Sequence, residues 1–303
     1  MTKNIKNIKK ILVVGGTGFI GFHLSKYCLN RGWKVTSLST RYPKKIRKLK
    51  NVKYLICNLS NKKKLNKLII ADYNYVINLG GYVEHFDKKK AIIHYIGCKN
   101  LSNIFSKRKI SNFVQIGSSS EYGKLKSPHD EKKFSLPNSI YGKSKYLATQ
   151  HLLTLYKKKN FPVTILRLYQ TYGPQQDTNR LIPFIIKSCI KDEKFPCSAG
   201  TQLRDFVHVN DIIRSIFKCF ENNKAIGNII NIGSGKPIKV RQIINFIQKN
   251  IKKGKPQFGK IKLRQEEISK SYPKILKAKK ILGWKPQIKF KNGLASTIGW
   301  YLN

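Results

Sequence analysis

A chain of 303 residues with 41% apolar content can bury a large core and is too apolar for a disordered polymer. Its net charge of +47 suggests polyanions, but only 10 of the 61 basic residues are Arg and the Lys are spread over the whole length. That pattern reads as a solvated lysine surface, so no specific nucleic-acid partner is expected.

No apolar run approaches the roughly 20 residues of a membrane span, and the basic stretch 1–10 is followed by an apolar run too short for a signal-peptide core. A cytoplasmic enzyme without a membrane partner is the expectation. The six cysteines (Cys28, Cys57, Cys98, Cys189, Cys197 and Cys219) form no C-x-x-C pair. They read as buried free thiols, and no metal site is expected.

The first apolar run, 10–14, predicts a strand. Gly15, Gly18 and Gly21 follow at once, and an amphipathic helix then runs to about residue 30. A second strand covers 33–38. A glycine turn between strand and helix can hold a dinucleotide pyrophosphate, with the N–H groups of Phe19 and Ile20 at the helix start as donors. Residues 37–42 contain no carboxylate for ribose hydroxyls, but they do contain Arg41. A guanidinium there suits a 2′-phosphate, so NADP is favoured over NAD.

A third strand at 52–57 leads to Asn58 and Leu59, and a fourth within 72–79 ends in Asn78, Leu79, Gly80 and Gly81. A helix over about 87–107, a strand at 112–117, a helix from Tyr141 to about 159 and a strand at 163–167 complete the alternation. The fold class is α/β, a Rossmann-type doubly wound parallel sheet. Ligands in such sheets lie at the carboxyl ends of the strands, where Gly15, Asn58, Gly80 and Ser118 fall. Residues 1–169 form the dinucleotide-binding domain. Residues 170–303, with a helix at 181–189, a loop and short strand at 200–211 and a turn at 231–235, form a smaller substrate-binding lobe, and later segments of it can return to the first domain.

Ser118 closes the fifth strand, and Tyr141 and Lys145 share one face of the helix that follows. Tyr-x-x-x-Lys occurs three times in this lysine-rich chain: Tyr95 with Lys99, Tyr122 with Lys126, and Tyr141 with Lys145. Only Tyr141 opens a long helix downstream of a strand-end serine. Ser118, Tyr141 and Lys145 therefore form the candidate catalytic group, suited to proton transfer at a hydroxyl or carbonyl carbon.

These pieces, with Tyr172-Gly-Pro174, Arg204-Asp-Phe-Val, Asn231-Ile-Gly-Ser-Gly and Leu282-Gly-Trp-Lys-Pro286, make the chain resemble an extended short-chain dehydrogenase/reductase of the NAD-dependent epimerase/dehydratase family, whose members act on nucleotide sugars. The resemblance spans essentially the whole chain. It implies that Tyr141 exchanges a proton with a sugar oxygen, that Ser118 hydrogen-bonds the same oxygen, and that Lys145 binds the nicotinamide ribose and lowers the Tyr141 pKa. It implies substrate contacts at Ser119, Gln170, Asn179, Arg180 and Arg204, the last on the phosphates. It also implies a homodimer.

Departures from the family pattern bear on the reaction. Dehydratases carry an Asp-Glu pair where this chain has Ser119 and Ser120, so elimination of water is not expected. Asn58 and Lys274 replace usual Asp residues, Asn78-Leu-Gly-Gly replaces a His-x-Ala-Ala type stretch, and Gln170 and His94 replace usual Asn residues. The favoured expectation is reduction of a 4-keto-6-deoxy nucleotide sugar, toward a polysaccharide deoxysugar. A nucleotide-sugar 4-epimerase of UDP-hexose type is the alternative. A non-catalytic NAD(P)-binding protein is opposed by the intact Ser118, Tyr141 and Lys145.

Overall fold

The computed structural model describes residues 8–82, 87–263 and 267–303. The basic residues 1–7 lie outside the described residues.

Apolar runs punctuated by glycine and polar turns give strands β1 (Lys10–Val14), β2 (Lys34–Ser39), β3 (Val52–Ile56), β4 (Tyr75–Asn78), β5 (Asn112–Ser118) and β6 (Val163–Leu168). Helices α1 (Phe19–Leu29), α2 (Lys62–Leu68), α3 (Ile93–Phe105) and α4 (Ile140–Lys159) lie between them. Every residue of β4, β5 and β6 is buried, as expected for a parallel sheet covered on both faces. The neighbour order is β3-β2-β1-β4-β5-β6 followed by β7 (Ile229–Ile232), and all six pairings are parallel. The order reverses between β1 and β4, which opens a crevice at their carboxyl ends.

Two details differ from the sequence expectation. The single helix over 87–107 is divided into one turn at Lys88–Ala91 and α3, and residues 83–86 are outside the described residues. The turn at 231–235 starts too early, because Asn231 belongs to β7, where it pairs beside Arg167 of β6. The chain after residue 170 thus returns to the central sheet.

One face of the sheet packs on α1 and α6 (Val209–Phe220), through Leu24, Cys28, Ile212 and Ile216. The other packs on α3 and α4, through Leu101, Phe105, Ala148 and Leu152. A separate core holds the lobe: Ile182 and Ile186 of α5 (Leu181–Ile190), Ile243 and Ile247 of α7 (Val240–Ile251), and Leu294 and Ile298 of α8 (Phe290–Leu302). All six cysteines are buried and free. Among the described residues, no helix is long and apolar enough to cross a membrane.

Helix α4 illustrates how the sequence sets its own boundaries. Ser139 caps it by accepting from the Gly142 N–H at 3.0 Å, and Asn160 ends it in the left-handed region at φ 51°. The first cap places Tyr141 in the first turn, at the edge of the crevice.

Candidate active site

The glycine turn after β1 is built for close approach. Gly15 has φ +79°, and its N–H donates to the Leu38 carbonyl at 2.7 Å. A Cβ on Gly21 would run into the Gly15 carbonyl oxygen, so only glycine lets α1 start this close to the strand. Helix α1 has no side-chain cap and no acidic residue in its first turn, which leaves the N–H groups of Phe19 and Ile20 at its start for an anion. This cradle fits a dinucleotide pyrophosphate.

At the end of β2, Ser39 Oγ accepts from the Thr17 N–H at 3.2 Å, tying the strand end to the turn. Arg41 is exposed and makes no ion pair among the described residues. Lys44 and Arg47 are instead turned to Asp177, each at 3.1 Å, and so fasten the loop that carries Asn179 and Arg180. Asn58 Oδ1 accepts from the Ser60 N–H and hydroxyl, both at 3.0 Å. Leu59 is buried against Gly80, whose N–H donates to Asn78 Oδ1 at 3.0 Å. Gly15, Asn58, Leu59 and Gly80 thus sit at neighbouring strand ends.

The candidate catalytic residues lie where β5 meets α4. Ser118, Tyr141 and Lys145 are brought together there, and all are buried. The Lys145 ammonium donates to the Ile116 carbonyl at 2.8 Å and lies 5.9 Å from the Tyr141 ring centre. Burial pushes the Tyr141 phenol up to about 12; Glu121 acts in the same direction, while a hydrogen bond with Ser118 and the Arg180 charge act against it. Burial also brings Lys145 down to about 8, opposed by Glu121. The expected lowering of Tyr141 by Lys145 is not seen here, because desolvation dominates and the ammonium is turned to a backbone carbonyl.

The other two Tyr-x-x-x-Lys pairs lie elsewhere. Tyr95 packs edge-on against His151, and the Tyr122 hydroxyl donates to Asn231 Oδ1 at 2.8 Å. His94 packs edge-on against Tyr141, with ring centres 5.1 Å apart. Its Nε2 pairs with the Tyr82 carbonyl at 2.7 Å, and burial takes its pKa down to about 3, so it is neutral.

Ser119, Gln170, Asn179, Arg180 and Arg204 all line one cavity of about 670 Å³. Arg204 is ion-paired with Glu267 and donates to the Leu203 carbonyl at 2.8 Å. It does not pair with Asp205, whose oxygens accept from the Ser234 and Gly235 N–H groups at 2.7 Å. Ser120, Asn138, Ser139 and Glu267 also line this cavity. Sequence reasoning did not single out Asn138, Ser139 or Glu267, since nothing in their local spacing links them to Ser118.

Residues 11–233 match the model of the NAD dependent epimerase/dehydratase family. The chain belongs to that family and is an enzyme of the extended short-chain dehydrogenase/reductase class. It is 28% identical over 312 residues to a UDP-glucuronate 4-epimerase of Thermodesulfobacterium geofontis, covering 95% of each chain. It superposes on a UDP-glucose 4-epimerase of Thermotoga maritima solved with UDP-glucose, with TM-score 0.91 and 23% identity over 97% of this chain and 98% of that one. A dTDP-glucose 4,6-dehydratase of Bacillus anthracis in complex with NAD gives TM-score 0.86 at 24% identity, over 97% and 96%. The two structural likenesses carry the fold.

Proposed function

We propose that this enzyme transfers a hydride at a sugar carbon of a nucleotide sugar without eliminating water, and that its reaction is the NADPH-dependent reduction of a 4-keto-6-deoxy nucleotide sugar. The observation that carries this reading is the meeting of Ser118, Tyr141 and Lys145 beside a cavity lined by Ser119 and Ser120, where no acid follows Ser118 directly.

The cofactor would supply the hydride. Tyr141 gives its proton to the sugar oxygen. Burial keeps the Tyr141 phenol protonated, so the proton to be given is in place before the hydride arrives. The Ser118 hydroxyl donates to the same oxygen and shares its developing charge. Lys145, whose ammonium donates to the Ile116 carbonyl, would be the residue that holds the nicotinamide ribose. Phe19 and Ile20 would hold the pyrophosphate with their N–H groups, and Asn58, Leu59 and Gly80 would border the adenosine. Arg41, exposed beyond the end of β2, would pair with a 2′-phosphate, and this favours NADP over NAD. Arg204, Asn179 and Arg180 hold the phosphates of the substrate, while Ser119 and Gln170 face its sugar. The enzyme would work in the cytoplasm as a homodimer, for which Ile96 of α3 and Leu147 of α4 offer exposed apolar side chains.

A 4-epimerase is the second reading, favoured by the name of the Thermodesulfobacterium relative. The deciding experiment incubates the protein with UDP-, dTDP-, GDP- and CDP-sugars and their 4-keto derivatives, following NADPH absorbance and product identity. A reductase consumes one NADPH per keto sugar reduced. Interconversion of 4-epimers with no cofactor added would overturn the reductase reading.

A further inference from the structure

We propose that Glu121 is a positioning residue of this site: its carboxylate, held from behind by Arg167 and Thr149, clamps the helix face that carries Tyr141 and Lys145 to the strand end that carries Ser118. This inference rests on the reading of Ser118 and Tyr141 as the reacting groups.

The Glu121 side chain is wholly buried, and both oxygens are occupied. Oε1 accepts from the Ser118 N–H at 2.8 Å. Oε2 accepts from the Thr149 hydroxyl at 2.8 Å and from Arg167 Nε at 3.1 Å, and a terminal guanidinium nitrogen lies at 3.0 Å. One carboxylate therefore joins the end of β5, the middle of α4 and β6. Tyr141, Lys145 and Thr149 are spaced four residues apart, so they form one stripe of α4. Glu121 grips the third member of the stripe whose first two members face the reaction.

Two neighbours make the arrangement specific. A Cβ on Gly117 would lie 2.5 Å from Glu121 Oε1, so the carboxylate occupies room that only glycine leaves. Ser118 Oγ accepts from the Ser120 N–H at 3.1 Å, while the Ser118 N–H is taken by Glu121. This reciprocal cap fixes both the Ser118 backbone and its side chain, and leaves the hydroxyl proton to point at an acceptor.

Stability alone is a poor reason for such a pair. A buried carboxylate and guanidinium lose solvation that their attraction barely recovers, and a well-packed apolar pair of like volume is often as stable. Geometry is the better reason. The charge also has a consequence at the site, since it favours the protonated forms of both Tyr141 and Lys145. The other charges facing Tyr141 are Arg180, from the start of α5, and Lys145 on its own helix, while His94 of α3 is neutral.

The test is Glu121→Gln in the full chain, read in two ways. Turnover should fall roughly ten- to hundredfold with KM little changed, as expected when reacting groups are displaced by a fraction of an ångström. Tyrosinate absorbance against pH, taken as the difference from Tyr141→Phe, should show Tyr141 ionising at lower pH than in the parent. If Glu121→Gln does not fold, Glu121→Leu combined with Arg167→Met removes the pair as a unit, and it must show the same loss of turnover. A folded variant with parent turnover and parent Tyr141 titration overturns the proposal. The titration needs no substrate, so it reports on Glu121 even if the reaction proposed above is wrong.

Discussion

The Tyr141 phenol is buried between His94, Ser118 and Lys145, and its acidity is set by that burial. Replacing it with Phe removes one oxygen and leaves the glycine turn untouched. Tyr141→Phe should therefore abolish turnover while cofactor titration shows affinity close to the parent; retained activity would remove Tyr141 from the mechanism. Ser118→Ala deletes a donor to the same oxygen and should lower turnover by roughly one to three orders of magnitude, measured under saturating substrate. Arg41→Ala should weaken NADPH far more than NADH, by about ten- to hundredfold for losing charge-assisted hydrogen bonds to a phosphate. Equal losses for the two cofactors, measured by equilibrium titration, would discard the 2′-phosphate reading.

At the scale of elements, the close contact between β1 and α1 is as demanding as any side chain. A methyl group on Gly21 would meet the backbone of Gly15 and Gly16, which cannot rotate away. Gly21→Ala should lower both the melting temperature and the affinity for the dinucleotide, whereas Gly32→Ala, with nothing near its Cβ position but a φ of +73°, should lower the melting temperature and leave cofactor binding intact. Thermal unfolding with and without cofactor separates the two. This turn was readable because strand, glycines and helix are contiguous, and the helical stripe of Tyr141 and Lys145 was readable for the same reason. Strand β7 was not, because three isoleucines interrupted by Asn231 before a glycine look like the approach to a turn, and its partner β6 is distant in the chain. The role of Glu121 was not readable, because its grip on Arg167 spans 46 residues and no local period encodes such a contact. Local order follows from spacing; the clamp beneath the site follows from tertiary packing.

The whole molecule carries a charge of +47, and folding must also keep several ionisable groups away from water. Burial lowers the pKa of His23, His94, His129, His151 and His208, reaching about 3 at His94 and about 4 at His129 and His208. An unfolded histidine titrates near 6.5, so as pH falls the unfolded chain takes up protons before the folded one does. Stability from these groups is complete above about 6.5 and is lost as pH drops toward about 4. Three carboxyls run the other way: burial raises Asp205 to about 6 and also raises Glu131 and Asp211, so the folded chain protonates them first and gains stability over the same range. Five histidines outnumber three carboxyls, and the net expectation is a falling melting temperature between pH 6.5 and 4. His129 is the sharpest probe, being fully buried, stacked on Tyr122 with ring centres 4.6 Å apart, and paired to the Tyr169 hydroxyl at 2.8 Å. His129→Gln should lower stability at pH 7 yet flatten its slope toward acid, measured as melting temperature against pH. Repulsion within so basic a chain would also destabilise it in acid, but salt screens that contribution. If the acid slope disappears in about 0.5 M salt, where the Debye length is only a few ångströms, surface repulsion is responsible. Persistence of the slope in salt, with its reduction in His129→Gln, would assign it to the buried imidazoles.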